Sequence, residues 1–258
     1  MFGKYARTLI ISTSQPQCTS VSSSEVSSTQ LMFKKVFNPS QILKAMSKAT
    51  KYDFTPSTSK AKITHQEPLD NSKSRFIKLE KLKYEAPDGK IRDWEMASRS
   101  TRPAGGSLDG VGILAITKQE PRQIILQKQF RPPVNGICIE MPAGLIDPNE
   151  TVAQCALREL SEETGLVGEV LHESIPVYND PGFCNTNTVI VVVEIDLTRK
   201  ENVNPVTHLE ENEFIETFHV PLATFTEELE KLFKEGYHID ARVHNVAEGL
   251  RLSKALKL

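Results

Sequence analysis

The stretch that decides the fold is GLIDPNETVAQCALRELSEETGL, which runs from residue 144 to residue 166. Thr151 and Gln154 stand three residues apart, in the pattern of a helix capping box. Gly165 suits the left-handed position just after a helix. The pattern therefore predicts a helix from Thr151 or Val152 to Thr164. The apolar residues of this helix recur at helical spacing and predict one buried stripe, formed by Ala153, Ala156, Leu157 and Leu160.

Three glutamates, Glu159, Glu162 and Glu163, gather on an adjoining face of the same helix. Like charges at this spacing repel one another, so folding alone gives no reason to collect them. A solvated acidic face is the plain alternative, but it does not explain the glycine-bearing turn PAGLID at residues 142–147. A carboxylate cluster favours a hard divalent cation, Mg²⁺ or Mn²⁺, which usually shares its coordination with substrate phosphates.

The same residues carry a resemblance to a known family. Gly144, Glu150 and the run RELSEETGL at 158–166 fill every fixed position of the Nudix box, so the chain resembles the Nudix hydrolases. The resemblance extends from about residue 75 to residue 258, and Pro181 lies near the position of a subgroup marker, although a turn would use the same proline. Four further segments are similar to the ADP-ribose pyrophosphatase subgroup, and most of all to the fungal ADP-ribose diphosphatases: QKQFRPP, CIEMPAGLID, NDPGFCNTN and ENEFIE.

This resemblance implies hydrolysis of the diphosphate bond of ADP-ribose to AMP and ribose 5-phosphate, with other ADP-sugars as further substrates. It implies Glu159 and Glu163 as the principal metal ligands and as catalytic residues. Glu162 and the backbone carbonyl of Ala143 are the further ligands that it implies. The cofactor that it implies is Mg²⁺, for which Mn²⁺ or another divalent cation can substitute.

Three more charged residues have roles that the sequence leaves open. Arg158 either orients the carboxylates through charge-assisted hydrogen bonds or forms a salt bridge without a catalytic role. Glu150 is interpreted as a helix-start charge rather than an outer metal ligand. The resemblance matches Glu213 to the acid that activates water from a loop outside the box. The alternative is that Glu213, with Glu210 and Glu211 beside it, only keeps that loop soluble.

Substrate binding requires cations for the diphosphate and an aromatic ring for adenine. Arg99 and Arg131 suit the diphosphate because guanidinium forks match phosphate oxygens, although either could form a surface ion pair instead. The resemblance implies that Trp94 stacks on adenine, whereas a lone tryptophan is more often a core residue. It also implies substrate contacts for Glu95 and Leu145. The predicted substrate is thus a small molecule, ADP-ribose.

Composition excludes some classes of partner. The net charge of −2 over 258 residues argues against a general nucleic-acid binder. The longest apolar run, VIVVV from Val189, is far too short to span a bilayer, so we expect no membrane partner. The four cysteines show no paired metal-ligand spacing and favour reduced thiols in an intracellular protein of the cytoplasm, with the nucleus as a further location.

The N-terminal segment differs from the rest of the chain. Residues 1–74 are rich in serine, threonine and glutamine without hydrophobic periodicity, which predicts a disordered extension. Its first two dozen residues hold Lys4 and Arg7 but no acid before Glu25, which suits a mitochondrial transit peptide and equally suits an ordinary disordered tail. Met32 and Met46 offer alternative starts for a cytosolic form.

Residues 75–105 hold two alternating segments around APDG, which predicts a β-hairpin, and the resemblance makes it a dimerisation region. Residues 106–258 form the predicted Nudix domain. Its strand patterns are GVGILAIT, RQIILQKQF, GICIEMPAGLI, VIVVVEIDL and FIETFHV. A last helix is predicted around TFTEELEKLFKEG, with Leu229, Leu232 and Phe233 at helical spacing. The resemblance implies an α/β/α sandwich with a mixed sheet, and a homodimer that exchanges hairpins.

Two other functions are compatible with a Nudix box. One is hydrolysis of other nucleoside diphosphate derivatives, such as nucleoside triphosphates or dinucleotides. The QFRPP and NDPGF segments and the N-terminal hairpin speak against it. The other is a silent module that binds nucleotide-like ligands as a sensor. Such a module usually loses the carboxylates, and here none is missing.

Overall fold

The computed structural model describes residues 60–257. The predicted transit peptide, the alternative starts and most of the predicted disordered extension lie outside the described residues. Residues 60–74 belong to the described part and contain a turn of 3₁₀ helix, Asn71–Lys73, capped by Asp70. The side chain of Asn71 bonds both backbone groups of Leu79, so this turn is attached to the first strand.

The predicted hairpin is present. Strands β1 (Ile77–Glu85) and β2 (Ile91–Arg99) pair antiparallel along their whole length. Gly89 takes a left-handed conformation with φ of 75° in the connecting turn, as expected for the glycine of APDG. Near its end, β2 is fixed to the rest of the chain, because the Ala97 N–H donates to the Phe183 carbonyl at 3.0 Å.

Within the described residues, nine further strands form one mixed sheet. They are β3 (Gly110–Thr117), β4 (Gln123–Arg131), β5 (Gly136–Glu140), β6 (Ala143–Leu145), β7 (Glu169–Glu173), β8 (Val177–Tyr178), β9 (Asn187–Ile195), β10 (Ile215–Pro221) and β11 (His238–Ile239). The order is β11-β5-β4-β3-β9-β7, with β10 on β4, β6 on β3 and β8 on β9. β3–β9 and β5–β11 are parallel and the other pairs antiparallel, which makes the sheet mixed as predicted.

The sheet is covered on both faces because its central strands alternate their buried side chains. On β4, Ile125 joins the core under helix α1 (Val152–Thr164), whereas Ile124 and Leu126 join a second core on the opposite face. Helices α3 (Phe225–Lys234) and α4 (Ala241–Leu256) supply that second core. This arrangement is the predicted α/β/α sandwich.

Helix α1 begins and ends where its sequence predicts. Both hydrogen bonds of the capping box are present, and Gly165 is left-handed with φ of 70°. The predicted apolar stripe needs one correction, because Leu157 is 38% exposed and Cys155 is fully buried. The buried face passes through Cys155, Ala156, Leu160 and Glu163, and Leu157 lies to one side of it.

The helix predicted around residues 224–236 is present as α3, but it is not the last helix. α4 follows it, and a short helix α2 (Lys200–Val203) precedes β10. The sequence concealed α4 because few of its apolar residues are buried, only Val243 and Ala247 among those described. On α3, Leu229 is buried as predicted, whereas Phe233 is 67% exposed. No helix in residues 60–257 is both long enough and apolar enough to cross a membrane.

Candidate active site

A cleft of about 490 Å³ opens where helix α1, the turn before it and the end of the hairpin meet. It brings together seven of the sequence-predicted site residues: Arg99, Arg131, Ala143, Leu145, Glu159, Glu162 and Glu213. Glu163 is not among the residues that line the cleft, and its side chain is buried, with 3% of its surface exposed. The cleft is therefore where the predicted metal ligands and phosphate-binding cations meet.

The glycine of the turn has a steric reason. A Cβ atom on Gly144 would lie 1.8 Å from the carboxyl carbon of Glu159, so any larger residue would force that carboxylate out of its position. The neighbouring Ala143 N–H donates to the Glu163 carboxylate at 3.0 Å. The turn and helix α1 are thus in contact through two glutamates, and this contact answers why a glycine stands ahead of them.

Arg158 holds the turn and the acidic face together. Its Nε and Nη2 donate to the two carboxylate oxygens of Glu150, both at 2.8 Å. Its Nη1 donates to Glu159 at 2.8 Å and to Glu162 at 3.1 Å, and Nη2 also reaches the Leu145 carbonyl at 3.1 Å. These contacts fit the orienting role rather than an isolated salt bridge. Arg158 also lowers the pKa of Glu150 to about 2, which fits a structural carboxylate.

Glu163 and Glu159 are buried carboxylates with little compensation from the protein. Burial raises the pKa of Glu163 to about 8, and its hydrogen-bond donors, Ala143 and Gln127, are neutral. Burial also raises the pKa of Glu159, although Arg158 opposes that shift. A cation bound between these oxygens would remove the cost of burying the charges.

The donor set therefore suits a divalent cation that prefers oxygen ligands. Among residues 60–257, no three acidic, histidine or cysteine side chains are close enough to form a ready-made metal cluster. Glu162, for example, is directed to Arg158. Such a partial site fits Mg²⁺ in kind, since that ion usually takes one or two carboxylates and completes its shell with water and phosphate oxygens.

The loop that carries Glu213 is attached to the end of helix α1. The His208 N–H donates to the Glu162 carbonyl at 2.7 Å, and a Cβ on Gly165 would lie 2.5 Å from the backbone nitrogen of Val206. Gly165 thus serves both the helix end and the loop. Glu213 lines the cleft, and its carboxylate accepts the Glu210 N–H at 3.0 Å.

Arg131 is held, not free. Its Nε and Nη2 donate to the two oxygens of Glu140 at 2.7 and 2.6 Å, and the Glu140 side chain is only 5% exposed. A guanidinium has five N–H donors, so three remain for a ligand in the cleft. Arg131 does form an ion pair, as the alternative allowed, but its partner carboxylate is buried and the arginine also lines the cleft.

The hairpin residues Trp94 and Glu95 are not brought to the cleft by a single chain. Trp94 is 47% exposed, donates from Nε1 to the Gly182 carbonyl at 3.3 Å, and meets the Tyr84 ring edge-on. The core alternative for Trp94 is therefore wrong. Because Trp94 does not line this cleft, its predicted stacking on adenine would require a cleft other than the one in the same chain.

The sequence did not reveal a buried ion pair that joins the end of the hairpin to the sheet. Asp109, 3% exposed, accepts from Nε and Nη2 of Arg102 at 2.9 and 2.6 Å. Asp109 and Asn187 also exchange backbone-to-side-chain hydrogen bonds, each 3.0 Å. The pairing of Asp109 with Asn187 spans 78 positions of the chain, so no local pattern predicts it. The one signal in the sequence was that Asn187 is the last residue of the NDPGFCNTN segment.

Comparison with known proteins adds three findings. Residues 107–243 match the NUDIX domain family model. The chain is 53% identical over 188 residues to an ADP-ribose pyrophosphatase of Saccharomyces cerevisiae, covering 72% of this chain and 81% of that protein. It is 43% identical over 192 residues to an uncharacterized Nudix hydrolase of Schizosaccharomyces pombe (74% and 93%), and 37% identical over 209 residues to an ADP-sugar pyrophosphatase of Mus musculus (80% and 94%).

With divalent cations removed by a chelator, the protein should lose stability as the pH rises from about 5 to about 8. An unfolded chain ionises Glu163 near the ordinary pKa of 4.5, whereas the folded chain delays ionisation to a pKa of about 8. The folded state therefore binds more protons in this window, and folding becomes less favourable as they leave. Glu163→Gln should flatten the melting-temperature profile, and parallel profiles for the two proteins would contradict the burial argument.

Gly165→Asn should release the loop while preserving the helix end, because asparagine tolerates a left-handed backbone but its Cβ would strike Val206. Hydrogen exchange at the His208 amide should become much faster. Gly89→Asn is the matched control, since Gly89 has a φ of 75° and open space around it. Unchanged exchange at His208 in Gly165→Asn would show that the close contact does not hold the loop.

Proposed function

The chain belongs to the NUDIX domain family, and from this premise we propose that it hydrolyses the diphosphate bond of ADP-ribose to AMP and ribose 5-phosphate. The names of two relatives, an ADP-ribose pyrophosphatase and an ADP-sugar pyrophosphatase, support this substrate class. One observation carries the proposal: the same cleft is lined by the carboxylates Glu159 and Glu162 and by the guanidinium groups of Arg99 and Arg131. A diphosphate suits such a cleft, because the carboxylates can hold a divalent cation and the arginines can bind phosphate oxygens directly.

We propose Mg²⁺ as the cofactor, held by Glu159, Glu163 and Glu162 with the Ala143 carbonyl. When bound, such a cation neutralises charge on the diphosphate oxygens and lowers the pKa of water. The protein's own part is to keep these oxygens in place. Arg158 does so for Glu159 and Glu162, and the Ala143 N–H does so for Glu163.

Glu213 is the residue we propose for taking the proton from the attacking water. Its side chain lines the same cleft as Glu159. Burial raises the pKa values of Glu159 and Glu163, and the negative charge of Glu213 adds a smaller increase. The hydrogen bond from the Glu210 N–H fixes one oxygen of Glu213 and leaves the other for water.

Arg99 and Arg131 bind the diphosphate in this proposal. Arg131 presents its free N–H edge because Glu140 occupies the other edge, and the neighbouring prolines restrict the backbone at this point. Arg99 ends strand β2 and faces the cleft from the hairpin side. Leu145, 38% exposed in the turn of the box, supplies an apolar contact beside them.

We propose a homodimer in which the hairpin of one copy completes the cleft of the other, with Trp94 stacking on adenine and Glu95 beside it. The support is an exposed apolar surface on a thin two-stranded ribbon, which by itself would be only marginally stable. Its large apolar side chains are Phe76, Ile77, Leu79, Leu82, Tyr84, Ile91 and Trp94. A second copy supplies a cover for them.

For the location we propose a reducing compartment, the cytoplasm with the nucleus. Cys138, Cys155 and Cys184 are free thiols. Burial raises the pKa of Cys138 to about 11 and that of Cys155 to about 12, so neither is a reactive thiolate at neutral pH. Mitochondrial import through residues 1–74 stays a prediction, which a fusion of these residues to a fluorescent protein would test.

Purified protein with Mg²⁺ should hydrolyse ADP-ribose faster than nucleoside triphosphates or dinucleotides. Glu159→Gln should reduce kcat by about 10²-fold or more, because a charged ligand is lost while its shape is kept. The exposed Glu173→Gln is the matched control and should behave as the wild type. Faster hydrolysis of nucleoside triphosphates would contradict ADP-ribose as the substrate. Absence of turnover with every compound would support the alternative of a silent sensor.

Glu213→Gln should lower kcat by about 10²- to 10⁴-fold, the range expected when a general base is lost, with little change in metal affinity. Glu211→Gln, on the same loop, is the matched control and should retain most activity. Steady-state kinetics and metal titration measure the two quantities. Equal losses in both variants would mean that the charge of the loop matters and that no single base does.

Trp94→Ala should raise KM for ADP-ribose by about tenfold to a hundredfold, because stacking of a base on an aromatic ring contributes roughly 1–3 kcal/mol. kcat should fall less, since stacking is similar in the ground and transition states. Phe233→Ala, which removes an aromatic side chain exposed on α3, should change neither. A monomer by sedimentation, or an unchanged KM in Trp94→Ala, would argue against exchanged hairpins.

A further inference from the structure

Helix α4 begins at the cleft and places there an arginine that the sequence did not indicate. Arg242 lines the cleft together with Arg131 and Arg99. Its Nε and Nη2 donate to the two oxygens of Asp240 at 2.9 and 2.8 Å. Asp240 thereby fixes the direction of the guanidinium, and three of the five N–H donors remain for other partners.

The sheet brings this pair next to the Arg131–Glu140 pair. β11 runs parallel to β5, with Ile239 opposite Ile139, and the Asp240 N–H donates to the Ile139 carbonyl at 3.0 Å. Glu140 follows directly in the chain. Asp240 raises the pKa of Arg242 through its hydrogen bonds, Glu140 raises it further, and the positive charge of Arg131 lowers it. Two guanidinium groups thus line the same cleft, each held by a carboxylate at the paired ends of β5 and β11, and their like charges disfavour each other.

Folding of α4 does not explain this arginine. Asp240 already caps the helix by accepting the backbone N–H of residue 242 at 2.8 Å, which needs no particular side chain there. A cation in the first turn is opposed by the positive end of the helix dipole. Arg242 also adds a positive charge beside Arg131. Both costs disappear when an anion occupies the cleft in front of them.

We propose that Arg242 and Arg131 form a two-guanidinium subsite that binds one phosphate group of the substrate's diphosphate. Glu140 and Asp240 hold the two forks from behind, so that their free N–H edges are preorganised for phosphate oxygens. The ligand class is a phosphate ester or diphosphate. This inference rests on the proposed function, because the subsite serves the diphosphate that the cleft would hydrolyse.

The test is equilibrium binding to the full-length protein without divalent cations. Calorimetric Kd values are measured for ADP-ribose, AMP and adenosine with wild type, Arg242→Gln and Arg242→Lys. Arg242→Gln should weaken ADP-ribose binding by about tenfold or more, the loss expected for a charge-assisted hydrogen bond. Adenosine, which has no phosphate, should bind as before. Arg242→Lys should fall between, since it keeps the charge and loses the fork.

Arg251→Gln is the matched control. Arg251 lies on the same helix, away from the cleft, and also pairs with a carboxylate: its Nε and Nη2 both donate to one oxygen of Glu248, at 2.9 and 2.6 Å. Its Kd for ADP-ribose should match the wild type. Melting temperatures of all variants identify any loss of folding, and Arg242→Lys provides the comparison if Arg242→Gln is unstable.

Two outcomes would overturn the subsite. The first is an unchanged Kd for ADP-ribose in a folded Arg242 variant, which would make the arginine purely structural. The second is an equal loss for adenosine and ADP-ribose, which would mean a distorted cleft and no phosphate contact. A wild type that binds ADP-ribose but does not hydrolyse it with Mg²⁺ would overturn the proposed function, whereas a phosphate-dependent loss in Arg242→Gln would still support the subsite.

Discussion

The structure of the site depends on one cation, the guanidinium of Arg158. It bonds Glu150 in the turn and Glu159 and Glu162 on the helix, and it also reaches the Leu145 carbonyl. Without it, carboxylates gathered on one helix face would repel one another, and the preceding turn would keep only its other contacts with the helix, such as the hydrogen bond from the Ala143 N–H to Glu163. Gly144 completes the arrangement by leaving room for the Glu159 carboxyl group. The positive charge of Arg158 thus offsets the repulsion among the glutamates of helix α1 without a bound metal.

Local features of the fold followed from the sequence because their causes are local. The capping box at Thr151, the left-handed Gly165, the hairpin turn at Gly89 and the alternation of buried residues on β4 all arise within a few residues of chain. Leu157 shows the limit, because its spacing suits the apolar stripe but the sheet contacts the adjacent line of the helix. Helix α4 shows a second limit of the sequence-based prediction, because few of its apolar residues are buried and its sequence therefore has little hydrophobic periodicity.

The candidate site also has a part that the sequence indicated and a part that it did not. The box and the quoted motifs indicated which side chains face the cleft, and seven of them do. What the motifs did not indicate was which charged residues pair: Glu140 with Arg131, Asp240 with Arg242, and Arg102 with Asp109. The paired residues are close in sequence, nine, two and seven positions apart, but their contacts depend on strand pairing and local backbone geometry, which no motif specifies. Each carboxylate–guanidinium pair fixes the direction of its arginine, so the orientation of the predicted Arg131 comes from a pairing with Glu140 that the sequence did not indicate.

The loop that carries Glu213 and helix α1 are joined through backbone atoms, and this has a consequence for the chemistry. The Glu162 carbonyl accepts the His208 N–H while its carboxylate bonds Arg158, so one residue is linked to both the loop of Glu213 and the turn of the box. A shift of the acidic face would therefore move the proposed base with it. Side-chain contacts would leave the two free to move apart. The close approach at Gly165 permits this backbone link, which makes the closing glycine of the box a condition for assembling the site as well as for ending the helix.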